Sequence, residues 1–367
     1  MVIFLSRSDL CVLAVNCVFA KLSSGILTFR AETQESRKDP KGKQRLEVAN
    51  KRRMFKQTYL VTGGAGFIGS HIVERLVRDG HRVRVLDDFS SGKESNLESF
   101  RKEIELVRGD IRDAAVVNEA TKDVDIVFHE AALGSVPRSV ADPLTTHEVN
   151  MTGTLNVLLA AREAGVKRVV YASSSSVYGE TPVLPKSEDM TPQPLSPYAL
   201  SKLVGEHYAS VFKHIYGFDV VALRYFNIFG PRQDPESQYA AVIPRFITAL
   251  LEGKSPVVYG DGLQSRDFTY VDNVVEANLL ASEADGAGAK AFNVACGGRY
   301  TLLDLLAKLK QILGSDIEPI HEAARAGDVK DSQASIAAAQ RELGYKVSVG
   351  FEEGLHKTAA WYQSQMR

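Results

Sequence analysis

A tyrosine and a lysine four residues apart, Tyr198 and Lys202, fall in the stretch PYALSKLVGEHYASVFKHIYG (197–217), whose apolar spacing is helical. The i, i+4 separation puts both side chains on one face of that helix. An ammonium beside a phenol favours the phenolate, and a positive ring bound nearby would do the same. Together they would draw the tyrosine pKa from about 10 toward neutrality. Such a phenolate can take the proton of an alcohol while a hydride leaves the same carbon. The spacing alone also describes an ordinary surface pair. Its place just downstream of a serine run, Ser173–Ser176, gives it more meaning.

The hydride needs an acceptor, and a second group of residues suits one. Thr62-Gly63-Gly64-Ala65-Gly66-Phe67-Ile68-Gly69 lies between an apolar strand-like run and an amphipathic helix-like one. Glycines 63, 66 and 69 permit a tight turn, close backbone approach to a pyrophosphate, and close packing of helix on sheet. Asp87 closes the next apolar run, where a carboxylate can accept from ribose hydroxyls and repel a 2′-phosphate. Asp88 adds to that bias toward NAD over NADP, while Lys93 works against it. Asp110-Ile111 would end the third strand near an adenine edge, or would simply be a solvated strand end.

The elements that must position these groups alternate. Apolar runs at 57–62, 81–87, 104–110, 125–131, 167–174 and 218–227 predict strands. Helical patterns follow at 67–80, with Ile68, Ile72, Leu76 and Val77 on one face, then at about 143–165 and at 197–217. Apolar strands separated by helices imply a parallel sheet covered on both faces, with its ligand cleft at the carboxyl ends of the strands. After Asn227 the prolines at 231, 235, 244 and 256 break the chain into shorter pieces. Helices remain near 272–284 and at 301–313. The expected fold class is α/β: a Rossmann-type doubly wound parallel sheet over residues 54–227. A smaller substrate-binding α/β cap over 228–367 would be partly interleaved with it.

The 367 residues are 44% hydrophobic and 24% charged, which excludes a disordered, collagen-like or disulfide-framework chain. The net charge of −1 gives no sign of nucleic acid or an acidic membrane as partner. Three cysteines fit a reducing cytoplasm. The histidines show no metal-ligand grouping, and no metal is expected. Residues 1–53 differ from the rest, with 11 Lys+Arg against 5 Asp+Glu, where residues 54–367 have 33 against 40. Their apolar run at 10–20 is too short to span a bilayer, and Met54 stands three residues before the first strand. The expectation is a misassigned upstream start or a disordered leader.

With these residues assembled, TGGAGFIG (62–69), Asp87, SSSSVYG (173–179), YALSK (198–202) and RYFNIFGP (224–231) resemble the extended short-chain dehydrogenase/reductase family. Within it the likeness is to the NAD-dependent nucleotide-sugar epimerases and dehydratases, above all those acting on UDP-N-acetylglucosamine, and it covers residues 57–362. The resemblance implies that Phe67 and Ile68 touch the pyrophosphate, Asp87 the adenosine ribose, and Asp110 and Ile111 the adenine. It implies a cofactor-proximal Asn150, a Ser174 that hydrogen-bonds the sugar O4, a base at Tyr198, and Lys202 on the nicotinamide ribose. Phe226 would pack near the nicotinamide and Asn227 would reach the diphosphate. Arg266 and Arg325 would grip phosphates and ribose, as a guanidinium fork suits. Ser175, Val242, Asp328 and Ser332 complete the expected substrate contacts.

Dehydratases of this family carry an Asp-Glu pair directly after the serine or threonine, where this chain has Ser175 and Ser176. The decarboxylases usually carry a glutamate at the second position. What remains is a 4-epimerase: oxidation at C4, rotation of the 4-keto sugar, and return of the hydride to its other face. Gly134 departs from the lysine common in the glucose/galactose type. The segments 131–143 and 232–246 look closer to the branch for UDP-N-acetylglucosamine or its uronic acid. Ser332 falls where epimerases restricted to unacetylated sugars carry a bulky tyrosine; a serine leaves room for an N-acetyl group. Read simply, it is a surface serine. Plain UDP-glucose and UDP-uronic acids stay as alternatives, with a non-catalytic NAD-binding protein or a net reductase further off. The helices at 143–165 and 197–216 resemble the family's dimer-forming pair, so a homodimer is expected.

Overall fold

The computed structural model describes residues 57–235, 241–323 and 330–366. The leader and its apolar run lie outside them. Seven strands form one parallel sheet: β1 (Thr58–Thr62), β2 (Arg82–Asp87), β3 (Ile104–Arg108), β4 (Ile126–His129), β5 (Arg168–Ser174), β6 (Val220–Tyr225) and β7 (Ala291–Val294). Their order is β7-β6-β5-β4-β1-β2-β3, so β1 lies inside the sheet and the strand order reverses beside it. Its two neighbours hold it in register, Thr62 opposite Leu86 of β2 and His129 of β4. The central strands are buried on both faces, which is why they read as unbroken apolar runs.

Eleven α-helices are described: α1 (Phe67–Arg78), α2 (Ala114–Ala120), α3 (Val136–Ala141), α4 (Pro143–His147), α5 (Thr154–Glu163), α6 (Pro197–Tyr216), α7 (Val242–Leu251), α8 (Val271–Glu283), α9 (Leu302–Leu313), α10 (Ala337–Leu343) and α11 (Phe351–Gln365). One sheet face is covered by α1 through Ile72, Val73 and Leu76 and by α8 through Val274, Val275, Ala277 and Ala281. The other is covered by α2, α5 and α6, with Val117, Val157, Leu158 and Phe212. A separate core joins α7, α9 and α11, where Phe268 stacks on Phe351 at 5.3 Å and Tyr300 on the same ring at 4.1 Å.

Boundaries differ from the sequence expectation for physical reasons. The third strand ends at Arg108, two residues before Asp110, and the sixth ends at Tyr225. There Asn227 turns the chain with φ +40°. The predicted helix at 143–165 is three pieces, α4, a π-helical segment over Glu148–Gly153, and α5. Both β7 and α8 come from beyond residue 227, yet β7 pairs with β6 and α8 packs on the sheet.

One buried ion pair fastens these layers. Arg224 of β6 donates Nε and Nη2 to the two carboxylate oxygens of Glu206 on α6, at 2.9 and 2.7 Å. Both side chains are under 10% exposed. Ser173 of β5 donates to the same carboxylate, and Arg224 Nη1 donates to the Tyr178 hydroxyl, which donates to Asn293 of β7. Burying two charges is costly, but removing one partner strands the other. Glu206→Gln and Arg224→Met should each lower stability by roughly 3–5 kcal/mol. Urea melts should show the double substitution Glu206→Gln/Arg224→Met costing clearly less than the two single losses together; strict additivity would mean the pair is not coupled.

Candidate functional site

The glycine turn sits at the carboxyl end of β1. Gly63 has φ +68°, and a Cβ there would stand 2.7 Å from the Ala131 nitrogen. At Gly69 a Cβ would meet the Gly63 carbonyl oxygen at 2.2 Å, so helix and turn are as close as a backbone allows. Gly66 caps α1 with no side-chain hydrogen bond. By contrast, α2 and α6 are capped by Asp113 and Ser196. The first amides of α1 thus face the cleft without a side-chain cap, an arrangement that favours an anion.

From this turn a cavity of about 510 Å³ runs across the strand ends. At one end it is walled by Asp87, Asp110 and Ile111, and at the other by Ser174, Tyr198, Lys202 and Asn227, with Phe67 and Ile68 between. The Asp87 carboxylate accepts from the Ala65 and Phe89 amides, both at 2.8 Å, and burial raises its pKa. Asp110 bonds Arg112, whose guanidinium lowers the carboxyl pKa. Lys93 pairs with Asp234 at 3.2 Å. The uncapped helix, the glycine cradle and an acidic far end fit a dinucleotide without a 2′-phosphate.

Lys202 donates to the Ala172 carbonyl at 2.6 Å, its ammonium 5.9 Å from the Tyr198 ring centre. Gly205 makes this reach available, since a Cβ there would lie 2.3 Å from the Tyr171 ring. Burial lowers the Lys202 pKa to about 8, with Glu130 acting against it. The Tyr198 pKa moves the other way from the sequence expectation. Burial raises it, and only a hydrogen bond with Ser174 lowers it. Without a bound cation, desolvation outweighs what the neighbouring groups do to the phenol; a positive ring bound at this end would act in the opposite direction. Ser174 Oγ also accepts from the Ser176 amide at 3.2 Å and from its hydroxyl at 3.0 Å.

Several expected contacts stand behind the walls rather than on them. Asn150 is buried in the π-helical segment, where its Oδ1 accepts from Leu133 N at 2.8 Å and its Nδ2 donates to Ser201 Oγ at 3.0 Å. It therefore fixes the wall segment 131–134 against α6. Phe226 is fully buried against Val177, Tyr178, Ala295 and Ala334. Ser175 begins the short turn that Ser174 caps. Ser332 is not a surface serine: it is 7% exposed, and its amide donates to Ser265 O at 3.0 Å. It lies on neither this cavity's wall nor the next one's. Arg325 and Asp328 fall outside the described residues.

A second cavity of about 220 Å³ adjoins the first through Asn227 and Ile228. Val242 and Arg266 line it, with Arg245, Tyr259, Gln264 and Phe268. Arg266 Nη1 donates to the carbonyls of Ser265 and Lys330, at 2.9 and 3.1 Å. Asp267, fully buried, accepts from the amides of Cys296, Gly297 and Ala334 and has its pKa raised by burial to about 6. Its carbonyl accepts from Asn227 Nδ2 at 3.2 Å, which orients Asn227 between the two cavities.

Sequence reasoning missed Asp267 and Glu130. The signal for Glu130 was visible as an acid directly after an apolar strand, in DIVFHEA. Asp267 gave no such signal, because a carboxylate buried among distant amides is defined by the fold. Among the described residues no three His, Cys, Asp or Glu side chains gather as metal ligands, and no helix is long and apolar enough to cross a membrane.

Comparison with known proteins agrees with this geometry. The family model for the NAD dependent epimerase/dehydratase family matches residues 59–295. A UDP-glucose 4-epimerase of Mycolicibacterium smegmatis is 40% identical over 83% of this chain and 98% of its own. The structure of a UDP-N-acetylglucosamine 4-epimerase from Methanobrevibacter ruminantium, in complex with UDP-N-acetylmuramic acid, is 45% identical. It superposes with TM-score 0.82 over 85% of this chain and 100% of that one. A UDP-glucuronic acid 4-epimerase from Bacillus cereus, in complex with UDP-glucuronic acid and NAD, is 31% identical with TM-score 0.79 over 84% and 100%. The chain, with its seven-stranded sheet, uncapped glycine turn and Tyr-Lys helix, belongs to the NAD-dependent epimerase/dehydratase family.

Proposed function

We propose that the protein is a UDP-sugar 4-epimerase interconverting UDP-N-acetylglucosamine and UDP-N-acetylgalactosamine. The observation that carries this is the meeting of Ser174, Tyr198 and Lys202 at one cavity end, beside a turn, Ser175–Tyr178, that contains no acid. An acid there would be needed to expel a hydroxyl. Bound NAD would accept the C4 hydride and return it to the other face of the sugar. Gly63, Gly66, Phe67, Ile68 and Gly69 would hold its pyrophosphate, and Asp87 one ribose. Asp110 and Ile111 would border the adenine.

Tyr198 takes the O4 proton and gives it back, with Ser174 orienting O4. Lys202, its ammonium anchored on Ala172, steadies the nicotinamide ribose. Asn150 and Phe226 act from behind, one fixing the wall at 131–134 and the other backing the nicotinamide end. Asn227 leads from the chemistry into the second cavity, where Val242 and Arg266 would receive the nucleotide, with Arg325 and Asp328 added from their sequence positions. Two points support the acetylated sugar. One is the higher identity to the M. ruminantium enzyme than to the other two relatives. The other is the small Ser332, packed behind the cavity walls on the Ser265 backbone, where a larger side chain would overpack and act on the sugar site only by displacing that segment.

A homodimer is part of the proposal. Helices α3, α4 and α6 expose Val140, Leu144, Leu200, Val211 and Ile215, and on α6 the spacing of 200, 211 and 215 makes a single stripe. The paired face would be apolar and self-complementary. A cytoplasmic setting fits a chain with only three cysteines.

Residues 54–367 incubated with UDP-N-acetylglucosamine and no added NAD should yield UDP-N-acetylgalactosamine on chromatography; conversion of UDP-glucose or a uronic acid alone would transfer the reading to those sugars. Tyr198→Phe should keep NAD bound while turnover falls by roughly 10²–10⁴-fold, and near-normal turnover would remove Tyr198 from the base role. Ser332→Tyr should abolish turnover of acetylated sugars and spare plain hexoses, whereas equal loss on both would end the steric argument. Light scattering should give a dimer that Val211→Glu with Ile215→Lys converts to a folded monomer.

A further inference from the structure

A carboxyl group lines the cavity end where Tyr198 and Lys202 meet, and no step above uses it. Glu130 follows β4 directly, one residue past the rung that pairs His129 with Tyr171. It therefore lies beside Ala172, whose carbonyl holds the Lys202 ammonium, across a strand spacing of about 4.8 Å. Its Oε1 accepts from the Tyr225 hydroxyl at 2.9 Å, and that hydroxyl accepts from Asn278 Nδ2 on α8 at 2.8 Å. The Glu130 amide donates to Thr62 O at 3.1 Å, so backbone and side chain are both held.

The position matters because the two redox forms of a nicotinamide differ in charge. The oxidised ring carries +1 and the reduced ring is neutral. An ammonium at that cavity end favours the reduced form, and a carboxylate favours the oxidised one. We propose that Glu130 offsets the Lys202 ammonium and so biases the protein toward binding NAD over NADH. The inference rests on the NAD-dependent reading above and gives that reading a reason to begin each cycle oxidised.

The groups facing Glu130 are Tyr225 from β6, Lys202 and Tyr198 from α6, and its neighbour His129 on β4. Burial holds His129 neutral, with a pKa of about 3. Burial raises the Glu130 carboxyl to about 7, against the Tyr225 hydrogen bond and the Lys202 charge. Its negative charge is therefore present above neutral pH and lost below it.

The test is the ratio of dissociation constants, Kd(NAD)/Kd(NADH), for the full chain freed of nucleotide, measured by calorimetry at pH 8.0 and 5.5. At pH 8.0 Glu130→Gln should raise the ratio about tenfold, equivalent to about 30 mV for a two-electron couple. At pH 5.5 the two proteins should agree, because the native carboxyl is then protonated. Glu130→Asp, which keeps the charge, should restore most of the native ratio. Equal ratios for native protein and Glu130→Gln at pH 8.0 would overturn the proposal, as would equal shifts in Glu130→Gln and Glu130→Asp. Failure of the native protein to bind either nucleotide would overturn the cofactor reading itself, and this inference with it.

Discussion

The contact between Glu206 and Arg224 decides where the chemistry can occur. It ties α6 to β6, draws Ser173 of β5 onto the same carboxylate, and reaches through Tyr178 to Asn293 on β7. Tyr198 and Lys202 ride on that helix, and Ser174 follows Ser173 on that strand. Their convergence is set by one charge pair placed directly beneath them. A buried pair of this kind adds little net stability compared with a well-packed apolar substitute. What it supplies is a specific geometry, since two forked hydrogen bonds admit one arrangement of helix over strand.

Close packing extends that constraint. Gly205 allows α6 to rest on the Tyr171 ring, and only at that distance does the Lys202 side chain reach Ala172 O. On the far side of the cleft, Gly69 brings α1 equally near the glycine turn. The cleft is thus bounded by two helices whose approach is set by missing side chains. The polar groups it contains are held mostly by backbone atoms: Asp87 by two amides, Asp267 by three, Lys202 by a carbonyl.

Much of this was legible in the sequence because it is local. The glycine turn, the Tyr-Lys spacing and the alternation of apolar strand with helix each occupy a few neighbouring residues, and the structure brings the first two to one cavity. The π-helical segment that seats Asn150 was not legible, since an extra residue in a helical turn leaves no mark on apolar spacing. Desolvation around the Tyr198 ring was not legible for a related reason: spacing reveals a charge four residues away but not the burial that raises the phenol pKa in the absence of a bound cation. Ser332 and Phe226 were placed by likeness, and their burial behind the walls depends on segments distant in sequence, Ser265 for the one and Ala295 and Ala334 for the other.

The late arrival of β7 has a consequence for how the chain is made. Strand β6 is complete at Tyr225, but its outer neighbour is not synthesised until Val294. Through that interval a nascent chain carries an open sheet edge of bare amides and carbonyls, the kind of surface that pairs with other chains. The helix that covers it on one face, α8, emerges in the same late stretch. Transplanting the nucleotide-binding half alone would leave that edge permanently open. Any exchange of substrate-gripping parts between relatives must therefore carry residues 271–294 along with the sheet they complete.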